Sequence, residues 1–173
     1  APPAAGAAVT IRAALDQEWS APLLGRYAAE LGLDIRQLHD TEAAKTVGHI
    51  SAIKSERQAP RCDVFWNNEL AQTVHLAQEG LLEPYVSPAA ADVPAQWKDP
   101  AGLWTGFAAR ARLLIVNTKL LKPEETPASI FDLTETKWRA RFAMAYPLFG
   151  TTATHVAALY SLLRALARLD LID

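Results

Sequence analysis

One cysteine, one methionine and four scattered histidines occur in the 173 residues of this chain. A single cysteine leaves no disulfide framework within the chain. Cys62, set inside an apolar stretch, reads as a small buried hydrophobe. The histidines show no zinc-type spacing among themselves or with Cys62. Charge of one sign is lacking too: 17 basic against 19 acidic side chains give a net charge of −2. That balance excludes the basic face a nucleic-acid partner requires. No apolar run reaches the roughly 18 residues of a membrane-spanning helix. No serine sits in a Gly-x-Ser-x-Gly elbow, and there is no glycine-rich phosphate loop or His-Glu-x-x-His helix. No catalytic constellation stands out, and the expectation is a protein that is not an enzyme.

What is present is core-forming material. Half of the residues are hydrophobic and 21% are charged, enough to bury a core in one ordinary domain or two small ones. Residues 1–8, all Ala, Pro or Gly, have neither the charged nor the apolar region of a signal peptide. They read as a flexible tether left after such a peptide is removed or, equally, as a plain terminus.

The periodicity alternates between strand and helix. Residues 9–15 read as a buried strand. Ser20 is placed as a helix N-cap with Pro22 just inside, and Trp19, Leu23, Tyr27 and Leu31 recur every four residues until Gly32 stops the helix. Residues 34–38 form a second strand. Asp40 or Thr41 caps a helix to about Ser55, with Val47, Ile50 and Lys54 on its inner edge. Pro60 precedes a third strand over 62–66. The next helix, from about Glu69 to Gly80, places Leu70, Val74 and Ala77 on one face. Strand and helix alternating three times predict an α/β fold with a parallel sheet and right-handed crossovers. Residues 83–102, punctuated by Pro84, Pro88, Pro94 and Pro100, form a long connection. Residues 104–117 are expected as two extended runs, 129–133 as a short helix and 142–145 as a strand. A final helix follows, with Val156, Leu159, Leu163 and Leu166 expected as its buried stripe.

Polar residues follow each buried strand: Asp16-Gln17, Asp40-Thr41-Glu42, Asn67-Asn68-Glu69 and Phe149-Gly150-Thr151-Thr152. The carboxyl ends of parallel strands share one sheet edge, so these loops are expected to converge on a ligand cleft. Each is also readable as a plain helix cap.

The run "DVFW" with its exit "GLLEPY", and the later "YPLFGTTATH", resemble the ferric-iron-binding branch of the bacterial extracellular solute-binding proteins, the periplasmic receptors of ABC importers. The resemblance runs from Val9 to Leu163. It implies a type II periplasmic-binding-protein fold with parallel sheets flanked by helices in two lobes. Residues 9–103 would belong to lobe one, 104–117 would cross between lobes, and 118–173 would begin lobe two, here incomplete. It implies a substrate-binding component that holds ferric iron and a synergistic anion between the lobes and delivers them to a permease in the periplasm or outside the cell. Asp16 stands where the family often has a metal-ligating histidine, so Asp16 and Glu69 are the candidate metal ligands. The family's iron-binding glutamate falls on Asn68 and its anion-contacting neighbour on Glu69. Arg110 matches an arginine used toward the anion, and Gly150, Thr151 and Thr152 match the anion-holding loop. With Thr41 and Asn67 these complete the candidate ligand set. Arg110 and Arg112 are otherwise readable as surface charges.

Two departures stand out. Family members are about twice as long, and the adjacent iron-ligating tyrosines have no counterpart here, since Tyr27, Tyr85, Tyr146 and Tyr160 stand singly. The expectation is therefore an amino-terminal portion, truncated or cut, with Fe(III) as transported ligand and no resident cofactor. A receptor for an organic phosphate, phosphonate or other small anion is the alternative. From another class, so is a self-associating fragment without ligand activity, including a homodimer with exchanged elements.

Overall fold

The computed structural model describes residues 8–39, 45–147 and 150–169. The elements run β1 (Ala8–Ala13), α1 (Gln17–Leu31), β2 (Asp34–Leu38), α2 (Lys45–Ser55), β3 (Val64–Trp66), α3 (Leu70–Gln78) and, far along the chain, α4 (Gly150–Arg168). Among the described residues the strands form one parallel sheet in the order β2-β1-β3, with Val9 opposite Ile35 and Ile11 opposite Val64. This is a small α/β unit built from helical crossovers, as the alternating periodicity requires.

Burial selects one face of β1. Ile11 and Ala13 are buried, along with Ala14 just beyond, and Leu24, Ile50 and Leu76 pack from α1, α2 and α3. His49 of α2 is buried among them. Its Nε2 lies 3.1 Å from the Ala13 carbonyl, and its ring meets Phe65 edge-on at 6.1 Å. Glycine ends two of the helices for a stated reason. Gly32 and Gly80 have φ of 63° and 67°, the left-handed conformation that a helix stop requires. At Gly80 the N–H donates to the Ala77 carbonyl while Leu81 donates to the Leu76 carbonyl.

Several boundaries differ from the sequence expectation. Asp16, not Ser20, is the N-cap of α1. Ser20 is wholly buried inside the helix, its hydroxyl donating to the Asp16 carbonyl at 3.1 Å. Ser20 and Leu24 are the buried residues of the helix, while Trp19 and Leu31 are 65% and 61% exposed. In α2, Ile50 is inward as expected. Val47 is exposed, and Lys54 reaches outward to Glu79. In α3 the buried residue is Leu76, and Leu70 is exposed. The third strand is shorter than 62–66: the Asp63 N–H still donates to the Thr10 carbonyl, but the Thr10 N–H is taken by the Asp63 carboxylate at 2.8 Å in place of a backbone carbonyl. Thr41, with Asp40 and Glu42, lies outside the described residues.

Residues 83–147 hold short 3-10 turns, including Ile130–Thr134 capped by Ser129 where a short helix was expected, and one isolated antiparallel bridge between Lys98 and Thr105. The expected strand at 142–145 is absent, and 106–116 forms no ladder. An extended chain becomes a strand only when a neighbour accepts its hydrogen bonds. The start of 106–116 has such a bond, from the Gly106 N–H to the Trp97 carbonyl, and the pairing goes no further among the described residues. Leu113 and Ile115 are 79% and 96% exposed.

Candidate functional site

The carboxyl ends of β1 and β3 are adjacent, since Ala14 donates its N–H to the Trp66 carbonyl at 2.9 Å. From this edge the chain turns through Asn67 and Asn68 into α3. Asn67 fixes the turn: its amide donates to the Glu69 carbonyl (2.5 Å) and Thr73 Oγ1 (3.0 Å), and its Oδ1 accepts the Asn68 N–H. Asn68 reaches back across the edge, its Nδ2 donating to the Ala14 carbonyl at 3.3 Å. A carbonyl only accepts, so this contact fixes which way the amide faces. Asn68 Oδ1 is then buried without a hydrogen-bond partner.

Glu69 caps α3. Its Oε1 accepts the Ala71 N–H at 2.8 Å and its Oε2 accepts the Gln72 N–H at 2.9 Å. The residue is 6% exposed. A carboxylate in this position satisfies two of the free N–H groups and opposes the positive end of the helix dipole. A third donor arrives from a distant part of the chain, as Thr154 of α4 donates its hydroxyl to Glu69 Oε1 at 2.5 Å.

That contact brings the amino-terminal turn of α4 to the same sheet edge. The segment leading toward it is anchored where Phe107 meets Trp66, with ring centroids 5.9 Å apart. Five residues on, Arg112 Nη2 donates to Thr151 Oγ1 at 2.6 Å. Thr152 is buried beside it. The turn thus carries helix N–H groups and a guanidinium, while the start of α3 is already matched by Glu69. Of the two helix starts, α4 is the one whose electrostatics favour an anion.

Asn67, Asn68 and Glu69 thus share one edge, and the Thr154–Glu69 contact brings to it the start of α4, which carries Thr151 and Thr152. Asp16 follows β1 at the same end of the sheet as the N-cap of α1. Gly150 begins α4. Arg110 and Arg112 are both exposed, and Arg112 is the one that reaches α4. Alternation could not separate the two, because residues two apart in an extended chain face the same way. Thr154 was missed; its signal was the three-residue step from Thr151 along one helix face. Among the described residues no three His, Cys, Asp or Glu side chains converge as a metal cage.

The family described as "Bacterial extracellular solute-binding protein" matches residues 63–168. Iron uptake protein A1 of Synechocystis sp. is 29% identical over 120 residues, 69% of this chain and 32% of that protein. The Fe(3+)-binding periplasmic protein of Serratia marcescens is 30% identical over 88 residues, 51% of this chain and 26% of its own length. A probable ABC transporter periplasmic-binding protein, y4fP of Sinorhizobium fredii, is 27% identical over 130 residues, 68% of this chain and 36% of that one. The matched stretch thus spans between 26% and 36% of these relatives.

Proposed function

This chain belongs to the bacterial extracellular solute-binding protein family, and from that membership we propose that it forms part of the solute-binding component of an ABC importer. It works in the periplasm or outside the cell and delivers its ligand to a membrane permease. The parent architecture is two-lobed and closes by a hinge. Residues 9–103 contribute to the first lobe, 104–117 cross between lobes, and 118–173 open the second. The ligand is a small anion held at the amino-terminal turn of α4 by Gly150, Thr151 and Thr152, beside Arg112 and opposite Asn68.

The observation that carries this reading is the Arg112–Thr151 contact of 2.6 Å. It puts a fixed positive charge on a helix start whose N–H groups favour an anion. Ferric iron with a synergistic anion is the second reading, favoured by the iron in the names of two relatives. Iron would be cargo there, and hard oxygen donors such as Asp16 would hold it. The three donors already on Glu69 and the amide at Asn68 support the anion over the metal. An organic phosphate or phosphonate fits the same turn.

Calorimetric titration of the 173-residue chain with phosphate and with ferric citrate tests the choice. Weak phosphate binding without tight iron binding is expected. Stoichiometric, tight iron binding would overturn the anion reading, and no binding of either ligand would overturn both.

A further inference from the structure

Thr154 makes a contact unlike the usual one for its type. A threonine inside a helix ordinarily returns its hydroxyl to the carbonyl one turn back. Here the hydroxyl crosses to Glu69, 85 residues earlier in the chain, at 2.5 Å. That is the length of a charge-assisted bond from a hydroxyl to a carboxylate. Glu69 is itself held on both sides, by the N–H groups of Ala71 and Gln72 and by the Asn67 amide on its carbonyl. The acceptor is therefore rigid, buried and fixed to the sheet edge. Whatever it grips inherits that position.

We propose that Thr154 is a positioning residue: its hydroxyl, docked on the buried Glu69 carboxylate, fixes the amino-terminal turn of α4 against the start of α3. The anion-binding N–H groups are thereby aimed before ligand arrives. Arg112 secures the same turn from the opposite strand segment through Thr151, three residues back on the same helix face. The turn is held at two points by two different parts of the chain. Preorganisation of this kind strengthens binding by removing the ordering cost from the binding step. The proposal rests on the anion reading for its consequence, and on geometry alone for the docking itself.

The experiment uses the full 173-residue chain with Thr154→Val, which keeps the shape and removes the hydroxyl, and Thr154→Ser, which restores it. Two quantities are read: amide hydrogen exchange across 150–158 without ligand, and calorimetric affinity for inorganic phosphate. In Thr154→Val, exchange in the first turn of α4 is expected to accelerate about fivefold or more, while β1 and β3 amides keep their protection. Phosphate affinity is expected to fall about tenfold, the scale of one charge-assisted hydrogen bond. Thr154→Ser should recover both. Unchanged exchange in Thr154→Val overturns the proposal, as does a serine variant that behaves like valine. Loss of β1 protection as well also overturns it, because a hydroxyl that only positions the turn leaves the sheet intact. If the parent chain does not bind phosphate, the anion reading fails. The exchange data then decide the docking claim by themselves.

Discussion

Arg12, near the carboxyl end of β1, and Glu56, just beyond α2, form an ion pair of 2.6 Å with side-chain exposures of 11% and 18%. Two charges so far out of water are each stabilised chiefly by the other. Glu56→Ala leaves the guanidinium buried and unmatched, and is expected to destabilise the chain by about 3 kcal/mol. Urea unfolding checks this. The contact is incomplete, since Arg12 Nε and Glu56 Oε2 are buried without hydrogen-bond partners. The double replacement Arg12→Met with Glu56→Leu should therefore cost less than Glu56→Ala alone. If the double variant is the less stable one, the pair contributes more than its desolvation costs.

Burial pushes the Cys62 thiol up from its ordinary 9.0, and the nearby Arg12 offsets this only in part. The folded state then holds the proton longer than the unfolded state. The thiol's contribution to stability is complete below the ordinary value and declines as pH rises through it toward the folded value. Reaction with a disulfide reagent at pH 8 is expected to be slower in the folded chain than in urea, because the thiolate is the nucleophile. Equal rates would show Cys62 to be open to solvent.

The strand-helix alternation of the first 80 residues was legible because each element meets its partner nearby in sequence. The parallel sheet and the glycine stops at Gly32 and Gly80 follow from local pattern. One error arose where a side chain replaced a backbone acceptor, as the Asp63 carboxylate does for the Thr10 N–H. Another arose at α1, where Asp16 starts the helix before Ser20 through its backbone carbonyl, without a side-chain cap bond. Periodicity then named Trp19 and Leu31 as inward residues when Ser20 and Leu24 hold that place. Long-range side-chain contacts were illegible. Nothing in the spacing of Arg110 and Arg112, or of Glu69 and Thr154, says which pairs meet.

The two arginines give a direct test of the anion site. Arg112→Ala removes the charge that reaches Thr151, and should lower phosphate affinity about tenfold and flatten its salt dependence. Arg110→Ala should change affinity by less than about twofold, as an exposed charge not tied to the turn. Titration calorimetry at two salt concentrations separates these outcomes. The reverse order would return the role to Arg110, as the family resemblance implies.

The exposed apolar segments make a prediction about association. The chain presents 12974 Å² of accessible surface, against about 8,300 Å² for a compact monomer of this length. Part of the exposed surface is apolar. Phe107, Leu113 and Ile115 are exposed in a stretch without strand partners, and Phe142 and Met144 are exposed in another. On α4, Val156, Leu162 and Leu163 are 40%, 49% and 38% exposed. Extended apolar backbone with open hydrogen-bonding groups recruits another chain. Isologous pairing of two copies covers it with the least new structure. A standard interface needs only about 800 Å² from each partner, well within the excess. The 173-residue chain is therefore expected to be dimeric or larger at micromolar concentration, and to bind a hydrophobic dye less as concentration rises. Light scattering and dye fluorescence across a dilution series measure both. A monomer mass throughout, with little dye binding, would show that 106–116 and 142–146 fold back onto the chain and bury their own apolar faces.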